Sequence, residues 1–365
     1  MSQTDIAKLF EADGPFTTVW LATPGSVENA GQQLETRWRN VRRELAGAGV
    51  ADDVLDEIEG RTVDAHTRGA SLVVIAGAQG VLHSESLPAA PPGEDAVAGT
   101  GPLPDVLPLL RHAQGSLPHL LVLTDRTGAE ILVRLPGGRE RTIEIEGGTG
   151  PELSRTSPGG WSQLRFQHRA ENLWAANAGE VAERLTRLTD AVSPRLIAVA
   201  GDVRATQLLA EAAPERVSRL IRDAGGDLAS IDEVAEQAAK LLDEVIEADT
   251  AELLARFGQE RGQDDQAVEE VGATVGALAK AQVQTLLLRD GAGAGRTAWI
   301  GPEPLHIALE PGALRAAGVA DPVEAPLAGA MVRAVLGGGG EVRLLDADAS
   351  EGPAGGVGGL LRWSD

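Results

Sequence analysis

The chain has 365 residues, 43% of them hydrophobic, and carries a formal net charge of -22 at pH 7. That length exceeds one ordinary hydrophobic core and predicts two or three domains. The charge argues against nonspecific nucleic-acid binding, so DNA is not an expected partner and any RNA contact must come from a restricted patch. With no cysteine, a disulfide framework, a thiolate metal site and a cysteine nucleophile are excluded, and a reducing compartment, the cytoplasm, is expected. Met1 to Phe10 lacks a basic region followed by an apolar run, and apolar segments such as Ser71 to Ala78 are far too short to cross a bilayer, so no membrane partner is expected. The only lysines are Lys8, Lys240 and Lys280, a bias toward arginine that suits phosphate recognition and a GC-rich genome equally.

In chain order, a short helix leads into a strand over Phe16 to Thr23, and helices are predicted over Val27 to Ala46 and Asp52 to Thr67. A buried strand follows at Leu72 to Ala76. Pro88 to Pro104, rich in Pro and Gly, is predicted as a loop, and a first domain ends near Gly115. His119 to Asp125, the turn at Thr127-Gly128 and Ala129 to Leu135 have hairpin spacing, with a third strand over Arg141 to Ile145. Arg195 to Ala200 is a strand closing on Gly201-Asp202, followed by two helices. Ser230 to Phe257 is a long acidic helix with a solvated face. Helix over Val268 to Ala281, strand over Val283 to Leu288, helix over Pro326 to Leu336 and strand over Glu341 to Leu345 precede a glycine-rich strand at Gly355 to Trp363. Strands and crossover helices in this succession predict an α/β chain.

One stretch departs from the rest. Ser157-Pro158-Gly159-Gly160-Trp161 is a flexible loop opening into a helix from Leu164 to Val192, with Ser162 as its expected N-cap. Apolar groups at Ala170, Leu173, Trp174, Val181, Leu185, Leu188 and Val192 have helical spacing for a face packed on a sheet. Arg165, His168, Arg169 and Asn172 form one polar stripe. From Leu153 to Arg169 there are Arg155, Arg165, His168 and Arg169 but no Asp or Glu. Two readings stand on the residues alone: a fingertip contacting phosphates and bases, with Trp161 for stacking, or a helix start whose Gly pair makes a turn and whose arginines are solvated.

Other chemistry is weaker. No lysine sits in a Gly-x-x-x-x-Gly-Lys-Ser/Thr context. Gly291-Ala-Gly293-Ala-Gly295-Arg296 has Arg where the third glycine of a dinucleotide fingerprint belongs, and is expected to be a surface turn. His66, His83, His112, His119, His168 and His306 lack paired metal-ligand spacing, so neither a metal nor another cofactor is expected. Gly160-Trp161-Ser162-Gln163-Leu164 approaches a nucleophile elbow, but that turn needs a small residue at the position of Leu164.

Gly159-Gly160-Trp161-Ser162-Gln163, with Leu164-Arg165-Phe166-Gln167-His168-Arg169 behind it, resembles the middle domain of the class-I release factors of archaea and eukaryotes and of Pelota. In those proteins Gly-Gly-Gln and then Ser-x-x-Arg-Phe open the long helix of an RNase H-like domain. Leu120 to Asp125 and Arg195 to Asp202 are similar to strands of that domain. Thr274 to Leu288 and Gly355 to Trp363 are similar to parts of the family's C-terminal domain. The wording is closest to the bacterial branch, with its mycobacterial stress-associated homologues, Balon-type ribosome hibernation factors and Vms/Ankzf-type peptidyl-tRNA hydrolase relatives. The resemblance implies three domains: residues 1–115, an N-terminal α/β domain; 116–245, an RNase H-like middle domain; and 246–365, a C-terminal α/β/α sandwich.

It further implies an RNA-binding set of Arg155, Gly159, Gly160, Trp161, Ser162, Gln163, Arg165, His168 and Arg169, directed at the ribosomal A site and its RNA. Transfer RNA and elongation factor Tu are the implied neighbours, and hibernation or stress the implied setting. In release factors the Gln of the loop positions water against the peptidyl-tRNA ester. Here Trp161-Ser162 displaces Gln163, the candidate catalytic residue, though a Gly-x-x-Gln spacing from Gly160 to Gln163 resembles that of peptidyl-tRNA-cleaving rescue factors. The first domain shows no stop-codon-reading motif. The functions to weigh are therefore an A-site binding factor, a peptidyl-tRNA hydrolase using Gln163, and a non-ribosomal α/β interaction protein sharing the fold alone.

Overall fold

The structure, a computed structural model, describes residues 1–23, 29–62, 70–91, 95–147, 160–225, 230–263, 266–349 and 351–363; the side chains of 160–170 and 263 lie outside the description. The chain forms two compact units, Met1–Gln114 with Glu252–Asp365, and Gly115–Ala251.

The first unit begins with α1 (Gln3–Ala7), opened by a capping box in which the Ser2 hydroxyl accepts from the Asp5 N–H and the Asp5 carboxylate accepts from Ser2. Then come β1 (Phe16–Ala22), α2 (Ala30–Gly47), α3 (Asp52–Thr62), β2 (Ser71–Gly77), β3 (Gly80–Leu87), β4 (Ala96–Gly101) and α4 (Leu107–Gly115). The four strands form an antiparallel sheet in the order β3-β2-β1-β4. α2 buries Leu34, Trp38, Val41 and Leu45, a spacing of four, three and four that keeps one face inward. That face and Val54, Leu55 and Ile58 of α3 pack on Val19, Leu21, Leu72, Val74 and Ala76 of the sheet. The alternate residues Val73 and Ile75 face a second core with Ile6, Leu9, Leu109 and Leu110.

The stretch from Pro88 to Pro104, expected as a loop, contains β4, which pairs with β1 from Phe16↔Gly101 to Leu21↔Ala96. Backbone pairing overrides the weak strand preference of Ala-Val-Ala-Gly-Thr-Gly because β4 is an edge strand that buries little. Of the expected helices, residues 27–28 and 63–67 lie outside the description.

The second unit holds β5 (His119–Thr124), β6 (Gly128–Leu135), β7 (Arg139–Glu146), α5 (Gly160–Val192), β8 (Leu196–Gly201), α6 (Val203–Ala212), α7 (Glu215–Ser218), β9 (Ile221–Gly225) and α8 (Ile231–Gln263), the last continuing into the first unit. The sheet order is β7-β6-β5-β8-β9, and only β6 runs against the others. Numbered from β5 this is 3-2-1-4-5 with the second strand reversed, the RNase H-like topology. Burial on both faces makes the central strands continuous apolar runs. Leu120, Val122, Ile197 and Val199 meet Val181, Ala182 and Leu185 of α5, while Leu121, Ala198 and Ala200 meet Val234 and Ala238 of α8.

The chain returns to the first unit with β10 (Ala267–Glu269), α9 (Val271–Ala279), β11 (Val283–Arg289), β12 (Thr297–Ile300), β13 (Ile307–Ala308), α10 (Pro311–Ala316), β14 (Val323–Pro326), α11 (Leu327–Gly337), β15 (Glu341–Leu345) and β16 (Val357–Leu361). The expected helix from Val268 starts at Val271, because Val268 and Glu269 pair with Gly359 and Gly358 of β16. One sheet runs β10-β16-β11-β15, with β11 and β15 parallel, and a small sheet runs β13-β12-β14. α9 and α11 cover one face of the larger sheet and Leu253, Leu254 and Phe257 of α8 the other, giving the α/β/α sandwich.

β15 is an edge strand, and two glutamine side chains pair with it as a neighbouring strand would. The Gln3 amide donates to the Val342 carbonyl and accepts from the Val342 N–H, both at 2.8 Å. The Gln114 amide does the same with Leu344, again at 2.8 Å. Arg111 adds ion pairs to Asp290 and Asp346, each at 3.0 Å. Gln3→Ala or Gln114→Ala leaves a part-buried N–H and C=O without partners, and urea unfolding is expected to show a loss of about 1–3 kcal/mol for each. Gln114→Glu at neutral pH, which keeps the acceptor and removes the donor, should also destabilise.

Candidate functional site

α5 is the element that carries the candidate residues. It has 33 residues and begins at Gly160, so Ser162, expected as the N-cap, is already inside the first turn. Neither Gly160 nor Trp161 opposes helical φ and ψ, and the proline that would stop the helix lies upstream at Pro158. Arg155 and Gly159 lie outside the described residues. Gly160, Trp161, Ser162, Gln163, Arg165, His168 and Arg169 fall on the first turns of α5, where the backbone alone is described. No acidic residue stands in the first turn, and the positive end of the helix dipole adds to the arginines that follow. Asn172, the last member of the expected stripe, is exposed.

Further along, the helix is fixed to the carboxyl ends of β5 and β8. The Arg126 guanidinium lies 4.5 Å from the centre of the Trp174 ring, a cation–π contact. It also forms an ion pair of 3.0 Å with Asp202. Asn177, 4% exposed, donates to the Arg126 carbonyl at 2.9 Å. Loop, helix and β8 thus converge on one arginine. Gly201 has φ of 121° and no room for a Cβ, which would run into the Thr124 carbonyl oxygen, so β5 and β8 end side by side.

The two carboxylates at these strand ends serve the backbone. Asp125 accepts from the Thr127 and Gly128 N–H groups at 2.6 and 2.8 Å and from the Thr127 hydroxyl at 2.7 Å. Asp202 caps α6, accepting from Arg204 and Ala205. Burial alone would raise the pKa of each, but the hydrogen bonds, together with Arg126 for Asp202, outweigh it and hold both below the ordinary carboxylate range. Both are therefore ionised and engaged with backbone N–H groups, which suits them to positioning and not to general acid catalysis. Among the described residues no group of three or more His, Asp or Glu is arranged to hold a metal ion.

The spacing of α5 correctly places Val181 and Leu185 in the interior. Trp174, counted with that face, is half-buried and its ring is covered by Arg126. Arg126, Asn177, Asp125 and Asp202 were not singled out from sequence. The Asp-Arg-Thr-Gly turn after an apolar strand and the Gly-Asp at the end of the next were the available signals.

A helix that begins at Gly160, crosses an RNase H-like sheet and is tied to its strand ends is the arrangement that the resemblance to release-factor middle domains implies. Residues 118–263 match the profile of bacterial archaeo-eukaryotic release factor family 2, so that part of the chain is similar to this family. An uncharacterised protein of Mycobacterium tuberculosis is 30% identical over 215 residues, which is 58% of this chain and 56% of the relative. The chain thus spans about half the length of the curated relatives it matches. Among solved structures, Archaeoglobus fulgidus Pelota is similar at 15% identity and TM-score 0.39 over 100% of this chain and 93% of that one. An archaeal Pelota in a ribosome-bound complex with ABCE1 is similar at 14% identity and TM-score 0.43, over 80% and 77%.

Asn177→Leu is expected to cost about 1–3 kcal/mol in urea unfolding, since it buries the Arg126 carbonyl unpaired. Because the folded pKa of Asp125 and Asp202 is depressed, each adds stability that is present above the unfolded value, about 3.9, and is lost as pH falls through the lower folded value. Asp125→Asn should flatten that acid limb, which unfolding titrations between roughly pH 2 and 5 would display.

Proposed function

We propose that this chain is a ribosome-associated, release-factor-like protein that enters the A site and acts in hibernation or stress, in the cytoplasm. In this reading 116–245 is the domain that reaches toward ribosomal RNA or the tRNA acceptor end, with 1–115 and 246–365 as flanking domains that meet the ribosome and a delivering factor such as elongation factor Tu. One observation carries the proposal. In a family of release-factor-like proteins, the first ten residues of α5 hold Arg165, His168 and Arg169 and no carboxylate, inside a chain of net charge -22. The other helix of 33 residues, α8, has Asp232 and Glu233 in its first turn. Selection of sign at one helix start and its reverse at another fits a polyanion as the partner of the first.

Co-sedimentation with ribosomes at graded salt tests this. Binding should weaken with salt, and Arg165→Glu with Arg169→Glu should weaken it by about tenfold, or about 1.4 kcal/mol. Asp243→Lys on α8 should have less effect. Persistent absence of the intact protein from ribosomes would end the proposal.

The Gly160 to Gln163 spacing favours a second reading, hydrolysis of the peptidyl-tRNA ester with Gln163 orienting water. Labelled peptide should then leave stalled complexes with the wild-type chain and not with Gln163→Ala. Release that survives the substitution removes Gln163 from the mechanism.

A further inference from the structure

The loop that the sequence marks as a surface turn, Gly291-Ala-Gly293-Ala-Gly295-Arg296, lies over a cavity of about 500 Å³ in the first unit. The cavity stands at the carboxyl ends of the parallel strands β11 and β15, where Arg289 and Leu344 line it. In α/β sheets that is where ligands settle, and the volume is that of a small-molecule site.

Two kinds of lining meet in it. In one, Gly291, Gly293 and Gly295 have φ of 74°, 75° and 69°, alternating with alanines of ordinary backbone sign. The N–H groups of Ala292, Ala294 and Arg296 close successive turns onto Arg289, Gly291 and Gly293. Those of the three glycines have no acceptor among the described residues. Alternation of this kind turns backbone N–H groups toward a common concavity that favours an anion. Arg111, Arg289 and Arg296 line the cavity with Asp105 and Asp290; Arg111 is held by Asp290 and Asp346, while Arg289 and Arg296 form no ion pair among the described residues. Arg296 is exposed. The buried Nε of Arg289 has no hydrogen-bond partner among the described residues, an arrangement that a bound acceptor would relieve. The lining contributed by β1, β4 and α4 is apolar, with Trp20, Val97, Leu107 and Pro108. Val97 is 40% exposed.

We propose that this cavity binds a nucleoside phosphate, with the phosphate at the glycine turn and Arg296 and the base against Val97 and Leu107. An anion alone would leave the apolar wall wet, and an uncharged apolar ligand would leave the amides and Arg289 unanswered; a molecule with one end of each kind answers both.

Isothermal calorimetry on the full chain with ADP and GDP tests the proposal, with adenosine, guanosine and inorganic phosphate as the partial ligands. Saturable binding of at least one nucleotide is expected, tighter than its nucleoside or phosphate by roughly tenfold or more. Arg296→Ala, whose side chain supports nothing else in the fold, should weaken it by a similar factor, and Val97→Trp should block it while circular dichroism stays unchanged. No saturable binding of either nucleotide at millimolar concentration would overturn the proposal. So would phosphate binding as tightly as nucleotide, or nucleotide binding unaffected by both substitutions.

Discussion

The pairing of two glutamine amides with the edge of β15 is the constraint on which the first unit depends. Gln3 and Gln114 come from the beginning and end of the N-terminal segment, and Val342 and Leu344 lie two residues apart on one strand. Strand residues two apart present their backbone groups to the same edge, so the two amides occupy adjacent sites of one ladder. They satisfy four backbone groups and cover a free sheet edge, which would otherwise be a template for pairing with another chain. The apolar core beneath includes Ile6, Leu109, Val342 and Leu344 together, so the polar fastening and the hydrophobic burial enforce the same register.

The second unit rests on a different principle. Its central strands are buried on both faces, and the helix that carries the candidate residues takes its position from Val181, Ala182 and Leu185 on one of them. Packing of that kind fixes a helix along its axis but leaves its far end to whatever holds the strand termini. Arg126 supplies that hold by engaging Trp174, Asp202 and, through its carbonyl, Asn177. The course of the described part of α5 is thus set by a polar cluster at the sheet end as well as by the apolar packing.

Much of this was legible in sequence where burial is continuous along a strand or periodic along a helix. Leu120 to Thr124 and Leu196 to Gly201 are apolar runs ended by Asp and Gly, and each is a central strand. The α5 face was legible from Val181 onward for the same reason. Two edge strands were not, because each buries too little to leave a pattern: β4 is half-exposed or exposed throughout, and β9 is short and polar, whereas the edge strands β7 and β15 were legible over Arg141 to Ile145 and Glu341 to Leu345. Residues 297–326, with β12 to β14 and α10, escaped because strands of two to four residues fall below any period. The glutamine pairs join positions 339 and 230 residues apart, which no local pattern can reveal. The glycine turn at 291–295 was visible as composition, but only the fold shows that a cavity lies beneath it.

The compact unit Gly115–Ala251 interrupts the other one. A nascent polypeptide emerging from its own synthesis would have every contact of that interrupting unit in hand once residue 251 is out, while Gln3 would still await Val342. The early segment therefore waits half-clothed through most of translation for the residues such as Val342 and Leu344 that complete the core it shares with them. Its acidic surface and charged helices are well suited to that interval, since like charges keep an unfinished neighbour at a distance.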